Sequence, residues 1–152
     1  MNIMFMTKFK DGSFTDFEQK ILNGLPNNYD LKHLLVTGVV LPRRPEKLHT
    51  IRRSARMKKG TKLSLRVWTG LPYRSPQRMF VETECTGVQK IHIWQDSFGG
   101  RYVVVDDRDE ILSDGMVERL ALNDGFENVD QFFSWFGFEF TGYIIHWHDL
   151  KY

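Results

Sequence analysis

A chain of 152 residues with 41% hydrophobic and 26% charged residues has room for one globular domain and excludes a disordered tail or a fibrous protein. Net charge is +2, the single Cys85 excludes an internal disulfide framework or a multi-cysteine zinc module, and no uncharged apolar run approaches the roughly 20 residues that span a bilayer. The Met1 to Met6 run is too short for a signal-peptide core and has Lys8 and Lys10 on its wrong side, so a cytoplasmic chain is expected.

Asn2 to Phe9 reads as a first strand. Thr15-Asp-Phe-Glu18 has capping-box form and predicts a helix from Asp16 to about Asn23, with Phe17, Ile21 and Leu22 inward and Gly24 at its end. Residues 25–45 run from Pro26 to Pro45 through an apolar stretch and read as an inserted loop or short hairpin. From Lys62 the alternation is strict: Leu63, Leu65 and Val67 on one face, Lys62, Ser64 and Arg66 on the other. Gly70, Pro72 and Pro76 mark a loop before an extended stretch from Arg78 to Trp94, interrupted at Gly87. Arg101 to Val105 is a further strand. Ser113 caps a helix carrying Val117, Leu120 and Ala121 and ending at Asp124-Gly125. Asn128 with Gln131 opens another, whose Val129, Phe132, Phe133 and Phe136 form a core stripe. Tyr143 to Trp147 closes the chain. The mixture predicts an α+β domain with a small, partly open barrel of five to six strands.

Charge is distributed unevenly. Between Arg43 and Arg78 stand 12 of the 21 basic residues and one acid, Glu46, which gives that segment +11 and the rest of the chain −9. Such a block attracts phosphates through counterion release, and the interleaved Trp68 and Tyr73 suit base stacking. The competing reading is a solvated face paired with acids elsewhere.

Three stretches together resemble the ASCH family of the PUA-like superfamily. Lys47-Leu-His-Thr-Ile-Arg52, preceded by Ile21-Leu-Asn-Gly24, is similar to the Lys-x-x-Thr-Ile-Arg signature and the helix end before it. Met57-Lys-Lys-Gly-Thr-Lys-Leu63 matches the turn into a barrel strand. Asp124-Gly-Phe126, the aromatic helix after it and Gly142 to Trp147 complete the set. The resemblance covers 1–152 as one domain apart from the insertion at about 25–45. It implies a PUA-like barrel of mainly antiparallel strands with flanking helices, and a cleft beside the signature loop for RNA, a nucleotide or a modified nucleoside. Small members of the family are acetylcytidine amidohydrolases. Carried over, their catalytic Lys, Thr and Glu fall on Lys47, Thr50 and Asp124, the last one methylene shorter.

The chemistry is coherent either way. Thr50 is a weak nucleophile that needs a base, and Lys47 can serve if burial or neighbouring cations lower its pKa. Alternatively Lys47 and Arg52 hold phosphates, Thr50 ties down its loop and Asp124 ends a helix. Arg52, Arg53, Trp68, Tyr73, Arg74 and His49 are the candidate nucleic-acid contacts, His49 being equally readable as a solvated loop residue. His146-Trp-His148-Asp149 offers no third metal ligand at suggestive spacing, so a barrel- or cleft-lining role is expected for His146 and no metal or cofactor is expected. Cys85 reads as an inert core thiol. Three functions remain open: RNA or nucleoside binding in a basic cleft, deacylation of acetylcytidine, and docking of an acidic protein.

Overall fold

The computed structural model describes residues 1–25, 45–106 and 110–152. Among the described residues lie seven strands and three helices. They run β1 (Asn2–Phe5), α1 (Phe17–Gly24), β2 (His49–Arg52), β3 (Lys62–Trp68), β4 (Gln77–Glu84), β5 (Gly87–Gln95), β6 (Arg101–Val105), α2 (Asp114–Asn123), α3 (Val129–Phe136) and β7 (Glu139–His146). The fold is α+β as the sequence predicts. The strand not anticipated is β2, which lies inside the signature. The insertion expected at 25–45 falls outside the described residues except at its two ends.

The strands form two sheets. In the first, β1 lies parallel to β3, which pairs antiparallel with β4. The period of two puts Leu63, Leu65 and Val67 in the interior, with Ile3 and Phe5 beside them opposite Leu65 and Val67. The second sheet has the order β2-β7-β5-β6 and is antiparallel throughout. Among the described residues no ladder joins the sheets, so hydrogen bonding between them does not close a barrel. Their edge strands β1 and β2 meet at a seam, where the Arg52 guanidinium donates to the Met4 carbonyl.

Helix ends follow local chemistry at one site and not at another. Asn128 caps α3 by accepting from the Gln131 amide at 2.8 Å, and Phe132 and Phe133 are buried below it. Before α1 the expected capping box does not form. The Thr15 hydroxyl donates instead to the Met6 carbonyl at 2.7 Å, and Asp16 takes the N-cap position in a left-handed conformation, φ 51°. The reason is tertiary: the bridge between Lys8 and Phe14 folds the loop back onto β1.

Phe9, Phe17, Phe126 and Trp135 pack edge-on and tilted at 5.6–6.2 Å, clamping α1 to the turn after α2. Gly125 makes that turn possible. Its φ is 86°, and a Cβ there would stand 3.2 Å from both the Lys47 stem and the Phe17 ring. Cys85 is fully buried, with its thiol donating to the Gly87 carbonyl at 3.4 Å. No described helix is long and apolar enough to cross a membrane.

Candidate functional site

The run into β2 is pinned from both sides. The Lys47 amide donates to the Lys20 carbonyl at 2.9 Å and the Leu48 amide to the Asn123 carbonyl at 2.7 Å. This sets Lys47 against the end of α2. Its side chain is 1% exposed, and its ammonium donates to both the carbonyl and the carboxylate of Asp124, the latter at 2.5 Å. The Phe17 ring lies 4.4 Å from the ammonium, a cation–π contact. Burial lowers the Lys47 pKa to about 8 even though Asp124 opposes the shift. Burial pushes Asp124 upward, but Lys47 and the His49 ring outweigh it and hold the carboxyl below its ordinary value.

Lys47, Thr50, Arg52 and Asp124 line one cavity of about 30 Å³, closed by Phe5, Phe17, Phe126 and Trp135 among others. The sequence thus brings its three catalytic candidates together from two regions more than 70 residues apart. No hydrogen bond among the described residues engages the Thr50 hydroxyl. The cavity has room for about one or two waters and is far too small for a pyrimidine.

Arg52 links this cavity to the surface. It also lines a groove of about 390 Å³ along the seam, together with Arg53, Arg56, Met4 and Met57. The guanidinium lies over the Phe5 ring at 5.2 Å, and its buried Nε has no partner among the described residues. Burial lowers the Arg52 pKa, opposed by Asp124 and Tyr73, which places the Tyr73 loop within electrostatic reach. Tyr73 packs on Trp68 with centroids 5.3 Å apart, is 84% exposed and holds φ 63°. Trp68, Tyr73 and Arg74 line neither the cavity nor the seam groove. Arg53 and Arg74 are exposed.

His49 does not stand at the surface. It is fully buried with Nε2 2.9 Å from the Tyr152 hydroxyl and Nδ1 3.6 Å from the Asp124 carboxylate, too long for a full hydrogen bond. Burial lowers its pKa, so it is neutral near pH 7. The basic block is likewise not a single face: Lys47 is internal, and Arg78 forms a two-pronged pair with Glu18 at 2.7 and 3.0 Å. Arg43 and Arg44 lie outside the described residues.

Two residues belong to the site that no sequence pattern singles out. Tyr152 receives a hydrogen bond from Asn123 at 2.8 Å besides meeting His49. Gln89 holds the Tyr152 main chain through its amide and carbonyl at 3.2 Å each. It also accepts from His146 Nε2 at 3.0 Å. That role is forced, because the same Gln89 oxygen faces the Tyr152 N–H and its nitrogen donates to Asp106 at 2.7 Å. Burial takes the His146 pKa down to about 3, so the ring is a neutral donor in this network. Only the pairing of these side chains across β2, β5 and β7 reveals them, and no local pattern encodes it.

Comparison of the chain with family models, with curated proteins and with solved structures finds no match.

Proposed function

We propose that this chain is a PUA-like domain of ASCH type that binds RNA or a modified nucleoside at the seam between β1 and β2. The observation that carries the reading is the double position of Arg52. It lines both the outer groove, with Arg53 and Arg56, and the inner cavity with Lys47, Thr50 and Asp124. A phosphate held by the three arginines sits beside a polar cavity able to test one protruding group of a base. The sizes favour one docking mode, in which the base rests in the groove and only an atom or two reaches inward. Tyr73, within electrostatic reach of Arg52 and packed on Trp68, offers a ring for stacking.

The test is affinity for single-stranded RNA at two salt concentrations, with free nucleosides as competitors. Steep loss with rising salt is expected, at about 0.7 counterions released per phosphate neutralised. Salt-insensitive binding, or equal displacement by an acidic polypeptide, would overturn the reading, the latter in favour of a protein partner.

A second reading is amide hydrolysis of acetylcytidine. The convergence of Lys47, Asp124 and an unengaged Thr50 hydroxyl favours it, since a lysine with pKa about 8 is partly neutral near pH 7.5 and able to accept the hydroxyl proton. It requires Arg52 to move so that the carbonyl enters the cavity. Incubation with acetylcytidine and chromatography for cytidine decides it. No cytidine above a protein-free control leaves binding alone.

A further inference from the structure

A second groove of about 350 Å³ lies on the face of the four-stranded sheet, lined by Arg53, Lys90, His92, Val104, Thr141 and Tyr143 among others. Arg53 also lines the seam groove, so the two depressions are neighbours sharing one cation. The strand register explains the arrangement. Arg52, Tyr143 and Lys90 stand directly opposite one another on β2, β7 and β5, and Thr141 faces His92 in the next row. Cations and rings therefore alternate across the sheet.

Charge separates these two grooves from the rest of the surface. Neither contains an aspartate or glutamate among its described lining residues, while together they hold Arg52, Arg53, Arg56 and Lys90. A further pocket, of about 670 Å³, is different: Asp16, Glu46 and Glu127 face Lys20 and Arg119 there. The cationic character also ends abruptly along the sheet. Past His92, which lies 3.2 Å from Glu139, the stacked Trp94 and Tyr102 are flanked by Asp96, and Arg101 is paired with Asp130.

We infer that the ligand at the seam is one unit of a single-stranded polynucleotide, and that the adjoining nucleotide lies in the sheet-face groove against Tyr143 and His92, with Arg53 holding the phosphate between them. This rests on the seam-binding reading and narrows it from nucleoside or RNA to the polymer. Each groove lies near the lower end of the range of about 300–1,000 Å³ for small-ligand sites, room for about one nucleotide. Tyr143 and His92 supply ring faces, which bind bases without regard to sequence. The Arg52 Nε, without a partner among the described residues, supplies a donor at the inner end of the track.

The experiment is a length series at fixed salt: a nucleoside monophosphate, then oligouridylates of two, three, six and ten residues, read by fluorescence anisotropy competition. Affinity should rise at least tenfold from the monophosphate to the two- or three-mer and change little beyond it, apart from the statistical gain of longer strands. Tyr143→Ala and His92→Ala should each weaken the trimer at least fivefold and leave the monophosphate within twofold. The His92 side chain is 42% exposed, so its variant keeps the test valid if Tyr143→Ala fails to fold. Monophosphate binding with no gain in the trimer overturns the track and leaves the seam reading standing. Absence of binding by every length overturns both. Displacement of the trimer by polyglutamate as effectively as by oligouridylate also overturns the track.

Discussion

The buried lysine makes an alkaline stability experiment informative. Lys47 has an ordinary pKa of 10.5 when the chain is unfolded and about 8 when folded. Between those values the unfolded state binds a proton that the folded state has lost, so stability rises with pH through the window from about 8 to 10.5. The full shift is worth about 3 kcal/mol, at about 1.4 kcal/mol per unit, with roughly 2 kcal/mol of it gained by pH 10. Other groups contribute in both directions. Lys20 is also lowered by burial and adds to the rise. Burial raises Cys85, and raises Tyr152 to about 12, so each of these subtracts above its unfolded value. A comparison of the parent with Lys47→Met removes them, because all three remain in both proteins. Adding Asp124→Leu to the variant leaves no uncompensated carboxylate to titrate within the window. Urea unfolding at pH 7.5, 9 and 10 should show the parent gaining about 2 kcal/mol relative to the variant. Parallel profiles would refute the placement of the ammonium in a dry site.

Three further outcomes follow from the same contacts. Asp124→Ala leaves the Lys47 charge buried without its partner and should cost about 3–5 kcal/mol in urea unfolding, whereas Lys47→Met with Asp124→Leu should recover most of it; additive losses would show that the pair is not coupled. Tyr73→Gly relieves a positive-φ strain of about 1–2 kcal/mol against about 0.4–1 kcal/mol of added chain entropy, so the thermal midpoint should hold or rise while RNA affinity falls. Thr50→Val removes a hydroxyl with no described partner and should change stability by less than about 1 kcal/mol, but should abolish any cytidine release from acetylcytidine in the chromatographic assay.

Elements governed by nearest neighbours were legible in the sequence. The alternation of Leu63, Leu65 and Val67 and the Asn128 cap are local facts, and both appear in place. The capping-box pattern at Thr15 was equally local, yet the Met6 carbonyl claimed its hydroxyl. Strand β2 was missed because four residues rich in polar groups carry no readable period. What makes it a strand is His49 lying opposite His146 across the ladder with β7. In the site, Lys47, Thr50 and Asp124 could be chosen only through the family resemblance, since nothing within 20 residues of Lys47 announces Asp124. Gln89 and Tyr152 were invisible for the same reason. Residue type alone placed Lys47 and Arg78 on a solvated basic surface, where burial and the Glu18 pair put neither as a free charge.

The sequence separations within the site bear on how the chain acquires it. Lys47 meets Asp124 across 77 residues, His49 meets Tyr152 across 103, and Lys20 meets Gly125 across 105. The parallel pairing of β1 with β3 adds another long closure. Contacts this remote impose entropy before they return energy, which puts folding in a slow regime, of milliseconds to seconds. During synthesis the lysine emerges well before its carboxylate and stays hydrated until the C-terminal strand and helices arrive. Residues 1–106 alone therefore form no such pocket, and the cavity between Lys47 and Asp124 is completed in the last docking event rather than step by step.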